Sequence, residues 1–179
     1  MILIVAGVSG CGKSTVGALL AGQLGWQFAD ADSFHSEANV AKMRAGSPLT
    51  DADREPWLRS LGAWMDTEIA AGRSAVLACS VLKRAYRDSL LNGRPSALVV
   101  FLLVTREELD RRLLRRTGHF FPEKLLESQL DALELPDPDE RVLTVLEEGG
   151  AADTVAEIIA RLRLDGRPSP ADAPVSGVP

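Results

Sequence analysis

Two cysteines and two histidines are all that a chain of 179 residues carries of either type. Cys11 and Cys79 make neither a disulfide framework nor a zinc site, so they are expected as reduced thiols of a cytoplasmic protein. An excess of positive charge is missing too: 20 lysines and arginines face 25 aspartates and glutamates, a net charge of -5. That balance disfavours a nucleic-acid surface and leaves room only for local basic pockets that take small anions. No apolar run reaches the roughly 20 residues of a transmembrane helix, so no membrane association is expected. The apolar opening Met1 to Val8 is short and runs into glycine-rich sequence with neither a basic n-region nor a cleavage pattern, so no secretory signal is expected. Internal repeats are absent as well. With 46% hydrophobic and 25% charged residues the chain is expected to fold as one globular domain. At this length roughly 70% of the unfolded surface is buried without any covalent or metal staple.

What is present is an alternation of periods. Ile2 to Ala6 is continuously apolar and β-branched, the pattern of a strand buried on both faces of a parallel sheet. Helical spacing follows over Ser14 to Leu24, with Val16, Leu19, Leu20 and Leu24 as its apolar stripe and Gly25 as its stop. Further strands are expected at Trp26 to Ala29, Ala75 to Cys79, Ala97 to Val104 and Arg141 to Leu146. Helices are expected at Glu37 to Ala45, Asp51 to Ala71, Lys83 to Leu91, Arg106 to Arg116, Leu125 to Leu133 and Ala152 to Leu164. In the Arg106 helix, Leu109, Leu113 and Leu114 should face inward and the arginines outward. Strands alternating with helices predict an α/β fold with a mainly parallel, about five-stranded sheet flanked by helices. Residues 165–179, with four prolines and few large apolar side chains, are expected to be a disordered tail.

The segment Gly7-Val8-Ser9-Gly10-Cys11-Gly12-Lys13-Ser14 fits the phosphate-binding loop G-x-x-x-x-G-K-[ST]. A chance match in a chain of this length has odds of about 1%, and the position between a buried strand and a helix lowers them further. Glycines let the backbone N–H groups of Gly7, Ser9, Gly10, Cys11, Gly12, Lys13, Ser14 and Thr15 wrap phosphate oxygens at a helix N-terminus. Lys13 would bridge the β- and γ-phosphates of a nucleotide, and the Ser14 hydroxyl would ligate Mg²⁺. Asp30 and Asp32 stand at the end of the second strand, where ligands bind in open α/β sheets. They either divide metal and proton-acceptor duties or are plain loop aspartates. Lys83, Arg84 and Arg87 follow the third strand and either read an anion or form a solvated helix face. Arg111, Arg112, Arg115 and Arg116 run into Thr117-Gly118-His119, the build of a mobile lid over about residues 115–135.

Four stretches together resemble the small gluconokinases, a branch of the P-loop kinases related to shikimate and adenylate kinases. They are Gly7 to Thr15, Ala29 to Leu58, Ala78 to Asp88 and Gly118 to Leu130. The first marks a superfamily only. The pattern HxxxNxxKMxxGxPLTDxDRxPWL from His35 and the pattern CSxLKRxYRD from Cys79 are far more specific. Ala31, Ser36 and Val81 depart from the usual Gly, Pro and Ala without removing a charge. The resemblance implies a three-layer P-loop domain over residues 1–164 with a small lid, usually as a homodimer. It also implies transfer of the ATP γ-phosphoryl group to the 6-hydroxyl of D-gluconate, with Mg²⁺. On that reading Lys13, Asp32 and Arg116 are catalytic, Arg116 as the lid arginine, while Ser14 and Asp30 hold the metal. Asp32, His35, Arg54, Lys83, Arg87, His119 and Gln129 surround the acceptor, with Arg87 on its carboxylate.

Two rivals remain at this point. A shikimate-kinase-like enzyme is expected to carry a glycine-rich turn after the third strand, where this chain has Cys79-Ser80-Val81-Leu82-Lys83. A guanine-nucleotide switch would need an N-K-x-D segment, which the sequence does not contain.

Overall fold

Ile2 to Ala6, five residues with no solvent exposure, form β1 and the middle of the molecule. The computed structural model describes residues 1–115, 123–147 and 149–164, with backbone alone at 113–115 and 123–125. β1 pairs in parallel with β3 (Ala75–Ala78) on one side and β4 (Ala97–Leu103) on the other. β2 (Gln27–Asp30) lies outside β3, and β5 (Val142–Leu146) lies outside β4, so the parallel sheet runs β2-β3-β1-β4-β5. The interior strands are the uninterrupted apolar runs, as two-sided burial requires. The two edge strands are half exposed.

The strands are connected through α1 (Lys13–Leu24), α2 (Glu37–Arg44), α3 (Asp51–Ala70), α4 (Arg84–Leu91), α5 (Arg106–Arg115), α6 (Glu123–Asp131) and α7 (Ala151–Leu162). α1 packs on α7, and α3 packs on α4. The chain moves outward from β1 to β2 and then back across β1 from β3 to β4. Right-handed crossovers put the helices of those opposite moves on opposite faces, which gives three layers. The expected α/β class and five parallel strands are therefore present.

One register row positions everything that follows. Ala78 of β3 pairs with Val5 of β1 on one side and with Asp30 of β2 on the other. The loops after these three strands consequently leave from a single edge of the sheet.

Local details differ from the sequence pattern for identifiable reasons. α1 buries Val16, Gly17, Leu20 and Ala21, while Leu19 is 37% exposed. Small residues, not the largest ones, let the helix approach the sheet: a Cβ on Gly17 would lie 2.9 Å from the Phe28 ring. A 3₁₀ turn at Ala31–Phe34 links β2 to α2, too short for a periodicity to reveal. In α5 Leu109 is buried as expected, but Arg112 also turns inward, half-buried against the phosphate loop. Leu113, Leu114 and the expected tail at 165–179 lie outside the described side chains and residues.

Candidate active site

The loop between β1 and α1 is shaped by glycine. Gly7 has φ 137°, and a Cβ there would sit 2.7 Å from Cys11 Sγ and 2.8 Å from the Leu102 carbonyl oxygen. Gly12, at φ 99°, is the N-cap of α1 and offers no side-chain cap, and the first turn carries no carboxylate. The leading N–H groups of α1 therefore keep their positive end open for an anion. Lys13 folds back over the loop, its Nζ donating to the Val8 carbonyl at 3.0 Å. Cys11 is buried beneath the loop, and that burial pushes its thiol pKa up.

Asp30, at the end of β2, reaches across to α1. Its Oδ2 accepts from Ser14 Oγ at 2.6 Å, and its Oδ1 accepts from the Asp32 backbone N–H at 3.0 Å. Its backbone carbonyl accepts from Ser33 Oγ at 2.7 Å. Asp32 is exposed, and its carboxylate accepts no hydrogen bond among the described residues. The pair is thus divided by geometry into one carboxylate on the Ser14 hydroxyl and one open to solvent.

His35 follows the 3₁₀ turn and stacks on Trp57 of α3, with ring centroids 4.6 Å apart and an interplanar angle of 8°. Its Nδ1 is buried and has no hydrogen-bond partner among the described residues. Burial pushes the imidazole pKa below its ordinary value; Arg54 adds to this and Asp32 opposes it. Trp57 itself is buried and donates from Nε1 to the Ala31 carbonyl at 2.8 Å.

A small cavity is lined by Asp51, Arg54, Ser80, Lys83, Tyr86 and Gln129 among others. Asp51 accepts from Lys83 Nζ at 2.7 and 2.9 Å and from the Tyr86 hydroxyl at 2.5 Å. These hydrogen bonds, Lys83 first, hold the Asp51 carboxyl below its usual range, and Asp51 in turn raises Lys83. The Arg54 guanidinium and the Lys83 ammonium lie 5.9 and 5.5 Å from the Tyr86 ring centroid. Gln129 joins the cavity to the phosphate loop, because its Oε1 accepts from the Ser9 backbone N–H at 2.6 Å. The Cys79 thiol, just past the end of β3, is buried, and that burial pushes its pKa up. Phosphate loop, paired aspartates and basic cavity thus converge on one edge.

Arg87 does not join them. It has no solvent exposure, and its Nε and Nη2 donate to Glu140 at 2.6 and 2.8 Å. Its Nη1 donates to the carbonyls of Leu82 at 2.8 Å and Glu134 at 2.9 Å. The expected role on an acceptor carboxylate is therefore wrong for this residue. Lys83 and Arg87, four residues apart, would share a helix face only if both were helical, but α4 starts at Arg84 with Lys83 as its N-cap. Lys83 turns to the cavity, and Arg87 turns into the core. Arg84 also points away, to Asp137 and Asp139.

Arg116 and His119, expected in the lid and at the acceptor, lie outside the described residues. The sequence reading missed Asp51, Ser80, Tyr86 and Trp57. Asp51 and Trp57 stand inside the specific stretch that begins at His35, and Tyr86 inside the one that begins at Cys79, so the motif itself was the available signal. Arg112, expected among the outward arginines that lead into the lid, instead turns inward, donating to the Cys11 carbonyl at 3.3 Å and pairing with buried Glu147.

Residues 2–136 match the family described as AAA domain. The chain is 45% identical over 163 residues to the gluconokinase of Gluconobacter oxydans, covering 91% of this chain and 92% of that protein. It is 45% identical over 180 residues to a probable gluconokinase of Rattus norvegicus, with 90% and 97% covered. The crystal structure of a gluconokinase from Sinorhizobium meliloti superposes with a TM-score of 0.76 at 36% identity, over 93% of this chain and 97% of that one.

Proposed function

The chain belongs to the gluconokinase family of P-loop proteins, and from that premise we propose how its residues carry out the reaction. It is a kinase that transfers a phosphoryl group from ATP to gluconate. The observation that carries the assignment of roles is the register row Val5–Ala78–Asp30, which brings the phosphate loop, the paired aspartates and the loop after β3 to one sheet edge, with Ser14 Oγ on Asp30 at 2.6 Å. The phosphate loop receives the ATP phosphates on the N–H groups from Gly7 to Thr15. Lys13 leaves the Val8 carbonyl for the β- and γ-phosphates and balances the charge that develops on the transferring group.

Gluconate lies with its carboxylate toward Arg54 and Lys83 and its 6-hydroxyl toward Asp32. Asp32 orients that hydroxyl and takes its proton as the oxygen bonds to the γ-phosphorus. The bond from phosphorus to the β–γ bridging oxygen breaks, and ADP leaves. His35, whose charged form burial disfavours, suits a substrate hydroxyl better than a carboxylate. Gln129 closes the cavity against the loop. Arg116 and His119 belong to the proposed lid, over about residues 115–135, and would complete the site from above.

The hydroxyl of Ser14 and the carboxylate of Asp30 are hard oxygen ligands of the kind Mg²⁺ takes beside phosphate oxygens and water, so the residues fit the ion. Ser14 and Asp30 would hold it, and when bound it neutralises charge on the phosphates. Family resemblance also supports a homodimer, which sedimentation velocity tests. Among the described residues no helix is long and apolar enough to cross a membrane. The proposed location is the cytoplasm, where ATP is supplied and buried thiols stay reduced. Phosphorus and carbon NMR of the product tests the regiochemistry. A phosphate ester coupled to C6 is expected, and coupling to any other carbon refutes the proposed orientation.

A further inference from the structure

Trp57, inside the stretch from His35 to Leu58, has no part in the reaction as described above. Trp57 lies in α3, two helical turns before Trp64, and both rings grip the short turn that carries the acceptor residues. The Trp57 indole N–H donates to the Ala31 carbonyl at 2.8 Å, its face stacks on His35, and Trp64 meets Phe34 edge-on at 6.1 Å. Ala31 is completely buried, so no solvent molecule replaces that indole donor without rearrangement. From within, the turn is held at its start by Asp30, which accepts from the Asp32 N–H and from Ser33 Oγ, and less firmly at its end. It is a single 3₁₀ turn, and its closing backbone bond, from the His35 N–H to the Asp32 carbonyl, is long at 3.4 Å. Ala31 and His35 bracket Asp32. Fixing both from one side chain fixes the direction in which the Asp32 carboxylate leaves the turn.

We infer that Trp57 is a positioning residue for phosphoryl transfer, holding Asp32 through the Ala31 carbonyl and His35 through ring stacking. An ordinary core tryptophan needs only volume and any nearby acceptor. This one uses the carbonyl between the two site aspartates. Displacing a reacting group by about 1 Å costs on the order of 100-fold in rate, so the clamp matters to turnover out of proportion to its bonds. The inference rests on the gluconate kinase reading and deepens it.

Trp57→Phe tests it, since phenylalanine keeps an aromatic face for His35 and removes the N–H. We expect kcat to fall by at least about tenfold while the KM for ATP stays within about twofold. In an Asp32→Asn background the same substitution should cost less than about threefold, because the group it aims is already disabled. A kcat within twofold of the unaltered chain, or an equal loss in both backgrounds, overturns the inference. Should Trp57→Phe fail to fold, 5-fluorotryptophan in the unaltered sequence supplies the answer. Saturating gluconate should move the Trp57 fluorine resonance and leave that of Trp26 in place; an unmoved Trp57 resonance overturns the inference. Turnover of the unaltered chain with gluconate reports on the reaction itself. The ratio of variant to unaltered turnover, with whichever acceptor supports ADP release, reports on Trp57.

Discussion

Arg87→Met strips a buried carboxylate of its partner. Glu140 has a side-chain exposure of 2% and is held below its ordinary pKa by the Arg87 guanidinium. Leaving such a charge uncompensated typically costs about 3–5 kcal/mol, so Arg87→Met should lower the urea midpoint sharply and leave the gluconate KM of the folded fraction near wild type. Adding Glu140→Leu should recover much of the loss. Unchanged stability with a raised KM would instead return Arg87 to the acceptor site. The two aspartates should separate in kinetics: Asp32→Asn lowers kcat, while Asp30→Asn raises the Mg²⁺ concentration needed for half activity. Equal, modest KM changes in both would remove the division of labour. The phosphate loop and both aspartates were legible as residues because their chemistry is tied to spacing and to a strand end. Arg87 was not, since a charged residue in a basic motif gives no sign of whether its partner is a ligand or a distant glutamate 53 residues along the chain.

At the scale of elements, the N-terminus of α3 carries Arg54 and Trp57 into the site, and its start is fixed by a capping box. Thr50 and Asp53 exchange side-chain and backbone hydrogen bonds, and Lys42 of α2 pairs with Asp53 at 2.7 Å. Thr50→Ala should cost about 1 kcal/mol. The Lys42 hydrogen bond first, and then those from Thr50, hold the Asp53 carboxyl down to about 2 from its usual 3.8. A depressed carboxyl stabilises the fold above its unfolded pKa and loses that contribution as pH falls through the folded value. The stability difference between the unaltered chain and Asp53→Asn should accordingly be constant above about pH 5 and shrink between about pH 4 and 2. A difference that does not change with pH would show that the box contributes nothing electrostatic. Nearly every strand and helix was readable from periodicity, to within a residue or two at most ends. The 3₁₀ turn and the inward Arg112 were not, because they depend on which element lies opposite, and period alone does not carry that.

For the whole molecule, the parallel order β2-β3-β1-β4-β5 explains why residues far apart in sequence share a site. Ala78 lies level with both Val5 and Asp30, so the three loops that follow meet at one edge. Strand alternation predicted the sheet, but the strand order, and with it the meeting of Asp51, Tyr86 and Gln129 in one cavity, appears only in three dimensions. Lys13→Ala should preserve this architecture, judged by an unchanged circular dichroism spectrum, and lower turnover by several orders of magnitude. The most direct test of the account is coupled ADP release from the unaltered chain with ATP and, in separate reactions, gluconate, shikimate, related aldonates and nucleoside monophosphates. Steady release that depends on gluconate, exceeds that with shikimate or any nucleoside monophosphate and disappears in Lys13→Ala is the expected result. Release driven best by shikimate or a nucleoside monophosphate, or none above the gluconate-free rate, would contradict it.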